Sequence, residues 1–412
     1  MTSPDVLFVV GELEIGGTER HLLNVSRRLR QAGWRVCVYS LAGSGPLRGD
    51  LESAGIRVVL PPIGRSAIPN ILILRILRIA VAAIHLTYIM VRERPRIAHF
   101  FLPAAYLVGA TAASFARIKI RVMSRRSLNT YQQAYPVVRR LEMKLHGSMD
   151  AVLGNSIAVV RQLHDEGVAA DKLGLILNGI ELPSVSSGDR TSVRSSLEID
   201  EETLVYVIVA NLIPYKGHLD LVTAFGIANV QIGQRWRLLI VGRDDGAGPE
   251  IRALAKNLNL DDKISFLGLR SDVKNLMSAS DVGILSSHQE GFSNSILEAM
   301  AVGLPMIVTD VGGNAEAVLA GETGLVVPPQ RPDALAEALV RLARDPPLRK
   351  ALGEAGRARL QAHFLLDGCV KKYQALYRGL LGGKSPRDIP EVTVANGQTS
   401  EPNPIVHARL QT

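Results

Sequence analysis

Residues 286–298 read SSHQEGFSNSILE and set two carboxylates, Glu290 and Glu298, eight positions apart with Gly291 directly after the first. An apolar run, Val282 to Leu285, precedes the stretch, and another, Pro305 to Thr309, follows it. The pattern Ser-Ile-Leu-Glu-Ala-Met-Ala between them has helical spacing. A buried strand, a glycine-bearing loop and a helix N-terminus together make an anion and polyol pocket at the carboxyl edge of a parallel sheet. Glu290 is expected in the loop, and Glu298 one turn inside the helix. Two acceptor-only side chains suit a ligand rich in hydroxyl groups. The competing reading, a solvated helix glutamate and a dipole-matched one, leaves the surroundings unexplained. Gly291, Phe292, Ser293 and Asn294 offer consecutive backbone amides, and Ser293 or Asn294 is a natural N-cap. Asp310-Val311-Gly312-Gly313-Asn314 then repeats the order of strand, glycine loop and helix start.

Outward from this stretch, the alternation of strand and helix patterns runs almost the whole length. Strands are expected at Val6–Val10, Arg35–Tyr39, Ile56–Leu60, Ile97–Phe101, Ile120–Ser124 and Ala151–Gly154, with a helix over Thr18–Ala32. After a Ser-rich break the second half restarts with strands Leu204–Ala210, Arg237–Val241, Ile264–Leu267 and Leu325–Val327. Helical patterns at Leu219–Ala228, Pro249–Asn259, Asp333–Arg344 and Leu348–His363 separate or follow them. This is α/β patterning with doubly wound parallel sheets, in two domains. The first domain is expected over 1–183, a linker over 184–199, the second over 200–363, a last helix over 364–381 and a disordered tail over 382–412.

HQEGFSNSILEAMAVGLPMIVTDVGGNAE resembles the donor-site signature of the retaining glycosyltransferases of family 4, which have the GT-B fold. GELEIGGTER near the start, NGIE at Asn178 to Glu181 and ANLIPYKGH at Ala210 to His218 extend the likeness over roughly Asp5 to Leu381. The resemblance implies two Rossmann-like domains facing across a cleft, with the last helix returning to the first domain. It implies transfer of a sugar from a nucleotide-diphosphate sugar, UDP- or GDP-linked, to a saccharide or polyprenyl-linked acceptor with retention of configuration. It assigns Glu298 to the ribose, and Glu290 with the 291–294 backbone to the donor sugar. Lys216 and the loop amides would hold the diphosphate, making Glu290 and Lys216 the catalytic pair. No cofactor and no metal are implied, and the chain contains no Asp-x-Asp triplet.

The residues bear independently on several of these points. Gly16 and Gly17 follow the first strand and precede a helix, where a backbone must approach a ligand closely. Lys216 sits between a strand and a helix, placed to neutralise a leaving diphosphate. The family usually pairs it with an arginine a few residues earlier, where Asn211 and Ile213 stand here. Arg243 is the expected substitute, and failing that the chain is a non-catalytic nucleotide-sugar-binding homologue. A nucleotide-sugar epimerase is the third reading. On the acceptor side, His99 lies within a strand pattern, which favours a core histidine over a ligand. Ser124, Arg125 and Arg126 end the next strand, and the arginines suit a phosphate-bearing acceptor.

The formal charge is +8 over 412 residues. Residues 1–183 carry 23 Lys and Arg against 13 Asp and Glu, a net +10, and the remainder 24 against 26, a net −2. A basic first half points to an anionic partner, a phosphorylated acceptor or a membrane surface. Aromatic content of 5% without basic-aromatic interleaving argues against nucleic acid. No GxGxxG occurs, which disfavours a dinucleotide cofactor. Gly382-Gly383-Lys384-Ser385 resembles a P-loop superficially but has Arg378 where its first glycine belongs. Cys37 and Cys369 are distant, so neither a disulfide framework nor a zinc site is expected. MTSPDVLFVV lacks a basic leader, and a cytoplasmic location, at the inner face of the membrane, is expected. Ile68–Val91 is the most apolar window, yet Arg75, Arg78 and His85 interrupt it. A buried or interfacial helix is expected there rather than a span.

Overall fold

The computed structural model describes residues 3–63, 72–182 and 190–394. The chain divides into two compact units, one of Met1–Asn178 with Leu366–Thr412 and one of Gly179–Leu365.

The first unit is built on seven parallel strands: β1 (Val6–Val10), β2 (Val36–Ser40), β3 (Arg57–Val59), β4 (Ile97–Phe101), β5 (Ile120–Arg125), β6 (Ala151–Gly154) and β7 (Leu173–Leu175). Their order is β3-β2-β1-β4-β5-β6-β7, so the winding reverses between β1 and β4. Both faces are covered, which is why β1 reads as an unbroken apolar run. Val6, Phe8 and Val10 pack with residues of helices Gly17–Gln31 and Leu366–Leu381, while Leu7 and Val9 pack on the opposite side with helices Leu72–Glu93 and Pro103–Phe115.

The second unit has six parallel strands: β8 (Leu204–Val209), β9 (Trp236–Val241), β10 (Ile264–Gly268), β11 (Val282–Leu285), β12 (Met306–Thr309) and β13 (Gly324–Val327). The order β10-β9-β8-β11-β12-β13 reverses between β8 and β11. Ligands of such sheets bind outside the carboxyl ends of the strands at this reversal.

Two boundary expectations are corrected. Residues 183–189 lie outside the described set, but the rest of the expected linker is not one. Arg190–Ser196 is a helix of the second unit. The buried Arg194 guanidinium donates to the carbonyls of Ala279, Asp200, Glu201 and Thr203 and pairs with Asp281 at 2.8 Å. One arginine satisfying five acceptors holds a segment that has no apolar face to bury. The expected disordered tail is likewise ordered through residue 394. Ile389 and Val392 join the core of the first unit, and the Leu175 amide of the edge strand donates to the Val392 carbonyl at 2.9 Å. Ser385 and Asp388 cap the intervening turn reciprocally. Residues 395–412 lie outside the described set, as do 68–71 of the apolar window. The remainder of that window belongs to helix Leu72–Glu93, and among the described residues no helix is long and apolar enough to cross a membrane.

Candidate functional site

The reversal point of the second unit is made by the loops after β8 and β11. The β8 loop turns through Pro214–Lys216 to Gly217, whose φ of +69° leads into helix His218–Ile232. A Cβ on Gly217 would lie 2.0 Å from the Ser286 carbonyl, so both its conformation and its packing require glycine. The His288 amide donates to the Tyr215 carbonyl at 2.7 Å and locks the two loops together. The third loop, after β12, presses on the second. Gly312, at φ +52°, would place a Cβ 1.7 Å from the Glu290 carbonyl, and the Gly313 amide donates to the Gly291 carbonyl. The two glycine loops of the sequence therefore form one packed layer on adjacent strands.

This packing brings Lys216 and Glu290 together across 74 residues of chain. The Lys216 ammonium donates to Glu290 Oε1 at 2.6 Å, and the Ser287 hydroxyl donates to the same oxygen at 2.7 Å. Both charged side chains are mostly buried. His218, next to Lys216, stays uncharged: burial first and the Lys216 ammonium second push its imidazole down to about 4. Glu298 lies in helix Asn294–Ala301 and is half-buried. Ser293 holds the N-cap position, but its hydroxyl bonds Ser295 at 2.9 Å instead of the helix amides, so the expected side-chain cap is not made. Phe292 is buried beside Phe364.

Asn211 and Arg243 form a second cluster where the ends of β8 and β9 meet. The Arg243 guanidinium grips Asp245 through two bonds of 2.6 and 3.2 Å, and Asn211 donates to the same carboxylate at 3.0 Å. The hydrogen bond from that arginine lowers the Asp245 carboxyl from its ordinary value. The replacement cation expected beside Lys216 is thus engaged in an ion pair of its own.

In the first unit the acceptor-side expectations divide. His99 is a core residue, its ring nitrogens 2.7 Å from the Tyr377 and Ser124 hydroxyls. Burial, then the charge of Arg126, pushes its imidazole down to about 3. Ser124 is buried with it. Arg125 is corrected: its guanidinium is enclosed between Glu142, at 3.1 Å, and Glu166. Burial alone would raise the Glu166 carboxyl, but bonds from His146 and Arg125 bring it down to about 2. The charge of Arg125 is consumed inside the fold. Arg126 points elsewhere, donating to Asn178 Oδ1 at 2.6 Å, and burial lowers its proton affinity. Glu19, on the first turn after Gly16 and Gly17, feels the Arg126 charge, although burial dominates and raises its carboxyl. Gly16 and Gly17 follow β1 at the reversal point of the first sheet.

Sequence reasoning passed over Ser287, and His288, whose Nε2 lies 2.7 Å from Asp220. Both sit inside the quoted stretch, and a hydroxyl three residues before an acid in a turn was the available signal. Among the described residues no group of three or more His, Cys, Asp or Glu is placed to hold a metal ion.

Two parallel sheets, each reversing between its first and fourth strands in chain order, define an α/β chain of the GT-B fold. HepE of Anabaena, solved with UDP and glucose, shares that fold with a TM-score of 0.79 over 92% of this chain and 100% of its own, at 21% identity. Residues 15–183 match the model of Glycosyltransferase Family 4 and residues 189–359 that of Glycosyl transferases group 1. The chain belongs to glycosyltransferase family 4. N-acetyl-alpha-D-glucosaminyl L-malate synthase of Bacillus anthracis is 29% identical over 235 residues, which are 56% of this chain and 60% of that protein. The capsular polysaccharide biosynthesis glycosyltransferase CapM of Staphylococcus aureus is 24% identical over 298 residues, 70% of this chain and 78% of CapM. The chain thus spans about three-fifths of the length of the malate synthase relative.

Proposed function

We propose that the protein moves a glycosyl group from a UDP- or GDP-linked sugar to a saccharide or lipid-linked saccharide during polysaccharide assembly, with retention at the anomeric carbon. The observation that carries this reading is the Lys216–Glu290 contact at the β8/β11 reversal, a cation and an acceptor on adjacent strand ends. Within this contact each neutralises the other. A diphosphate entering the site competes for the ammonium and frees Glu290 for the hydroxyls of the donor sugar. Lys216 and the loop amides then stabilise the diphosphate as its charge grows, with no metal required of them. Glu298 takes the ribose hydroxyls, and the Gly291–Asn294 backbone orients the sugar. The bond from the anomeric carbon to the leaving phosphate breaks as the acceptor oxygen attacks from the same face, and that phosphate receives the acceptor proton. Arg126, the buried arginine not enclosed by carboxylates of the Arg125 cluster, is the residue to meet an acceptor phosphate. CapM supports a glycan-building reading, HepE with its UDP a uridine-diphosphate donor, and the malate synthase glycosyl transfer as such. The protein would work in the cytoplasm, at the inner face of the membrane.

The engagement of Arg243 with Asp245 favours one rival, a homologue that binds nucleotide sugars without turnover. A panel of UDP, GDP and ADP sugars tests both. At saturation the correct donor should raise the melting temperature by roughly 5 to 10 °C. Glu298→Ala should remove that shift for every donor sharing the nucleotide. A shift without transfer to any glycan acceptor supports the rival, and no shift with any donor defeats both.

A further inference from the structure

Between Leu72 and His146 the chain carries 13 Lys and Arg against two acids, Glu93 and Glu142. Both acids are engaged within the fold, Glu93 with Arg57 and Glu142 with Arg125. Arg125 and Arg126 are buried, but Arg92, Arg94, Arg117, Lys119, Arg140 and Lys144 are exposed, so the surface made by this stretch is strongly positive.

The same stretch leaves large apolar side chains in water. On helix Leu72–Glu93, Ile76, Leu77, Ile84, Tyr88 and Val91 are each more than half exposed, and Ile84 is 71% exposed. At 3.6 residues per turn these five fall within about one third of the helix circumference. Ala82, Leu86, Ile89 and Met90 occupy the opposite side and are buried. The stripe is thus surplus to the core. Helix Pro103–Phe115 packs beside this helix, and helix Pro136–His146 beside that one, on the same sheet face. Pro103–Phe115 has no charged residue and ends on Phe115, 77% exposed. Pro136–His146 exposes Val137 and Leu141 at helical spacing with Arg140 and Lys144. Each helix runs back between parallel strands, so all three end at the amino edge of the sheet. There Val91, Arg92, Phe115, Arg117, Lys119 and Lys144 mix apolar and basic side chains.

We propose that this three-helix face of the first unit docks on an anionic lipid surface. The apolar stripe enters the headgroup boundary while the basic side chains meet lipid phosphates, the arrangement of an interfacial amphipathic helix. A second copy is the poorer occupant, since self-association would oppose like charges across the contact. The inference names a partner for the lipid-linked acceptor in the functional reading, but it rests on this surface alone.

Flotation of the full chain with vesicles is the test. The protein should float with phosphatidylglycerol-containing vesicles and not with phosphatidylcholine alone, and raised salt should release it. Ile84→Glu with Val91→Glu should lower binding at least about tenfold, since both positions lie on the inserted stripe. Arg140→Glu and Lys144→Glu should each lower it about fivefold. All four positions are exposed, so an unchanged melting temperature in these variants shows that the fold is intact. Absence of flotation, or equal flotation with neutral vesicles, overturns the proposal. So does a dimer that Ile84→Glu dissociates, which would assign the face to a second copy. Flotation without any response to nucleotide sugars would sink the functional reading and leave the docking face standing.

Discussion

Glu290→Ala is expected to lower turnover by about two to three orders of magnitude, the scale of removing one preorganised polar group from a reaction centre. Nucleotide affinity should change far less, and in the opposite direction to the naive expectation. The Glu290 carboxylate accepts from the Lys216 ammonium at 2.6 Å. Removing it leaves that cation partly buried and available, so a diphosphate no longer has to displace an internal partner. Binding of the free nucleoside diphosphate should hold or tighten while transfer collapses. Steady-state kinetics beside calorimetric titration separates the two. Equal loss of turnover and affinity would mean that Glu290 holds the nucleotide and that its assignment to the donor sugar is wrong.

Arg125→Met should be the most destabilising single change among the residues discussed, by about 3 to 5 kcal/mol. Among the described residues its guanidinium is the only Arg or Lys group that pairs with Glu142 and Glu166, and the side chains of Arg125 and both glutamates are nearly inaccessible. The two carboxylates also receive Tyr131, Gln132 and Asn129, so the segment that follows β5 hangs on this cluster. Without the arginine, two buried acids must either ionise unpaired or take up protons. Denaturant unfolding would check this. A loss under about 1 kcal/mol would show that the acids are readily re-solvated and that Arg125 is not their anchor.

Arg125 and Arg126 also show where the sequence stops being legible. They are neighbours at a strand end, so their side chains leave on opposite faces. One meets two glutamates from the following helices, the other an asparagine 52 residues onward. Nothing local distinguishes them, and a shared phosphate-binding role was the natural reading. The central strands were legible because they are covered on both faces, which makes β1, β8 and β11 continuous apolar runs. Ile97–Phe101, Ala151–Gly154 and Val282–Leu285 have the bounds that their composition predicts. Segments held by contacts with distant parts of the chain were not legible. Arg194 reaches Asp281 across 87 residues, and Val392 takes its partner from β7, so both stretches look unstructured by periodicity. The Lys216–Glu290 contact was within reach only because the family resemblance put both residues in one site. Spacing along the chain carries no trace of it.

Titration of uridine and guanosine diphosphates, each against its parent nucleoside, on the wild type and on Lys216→Met tests the donor-site assignment most directly. In the wild type the diphosphate should add at least about tenfold in affinity over the nucleoside, the scale of a charge-assisted hydrogen bond. In Lys216→Met that advantage should largely vanish while nucleoside affinity stays unchanged. An undiminished diphosphate advantage in the variant would place the phosphate contact elsewhere and contradict the reading of the β8/β11 reversal as the donor site.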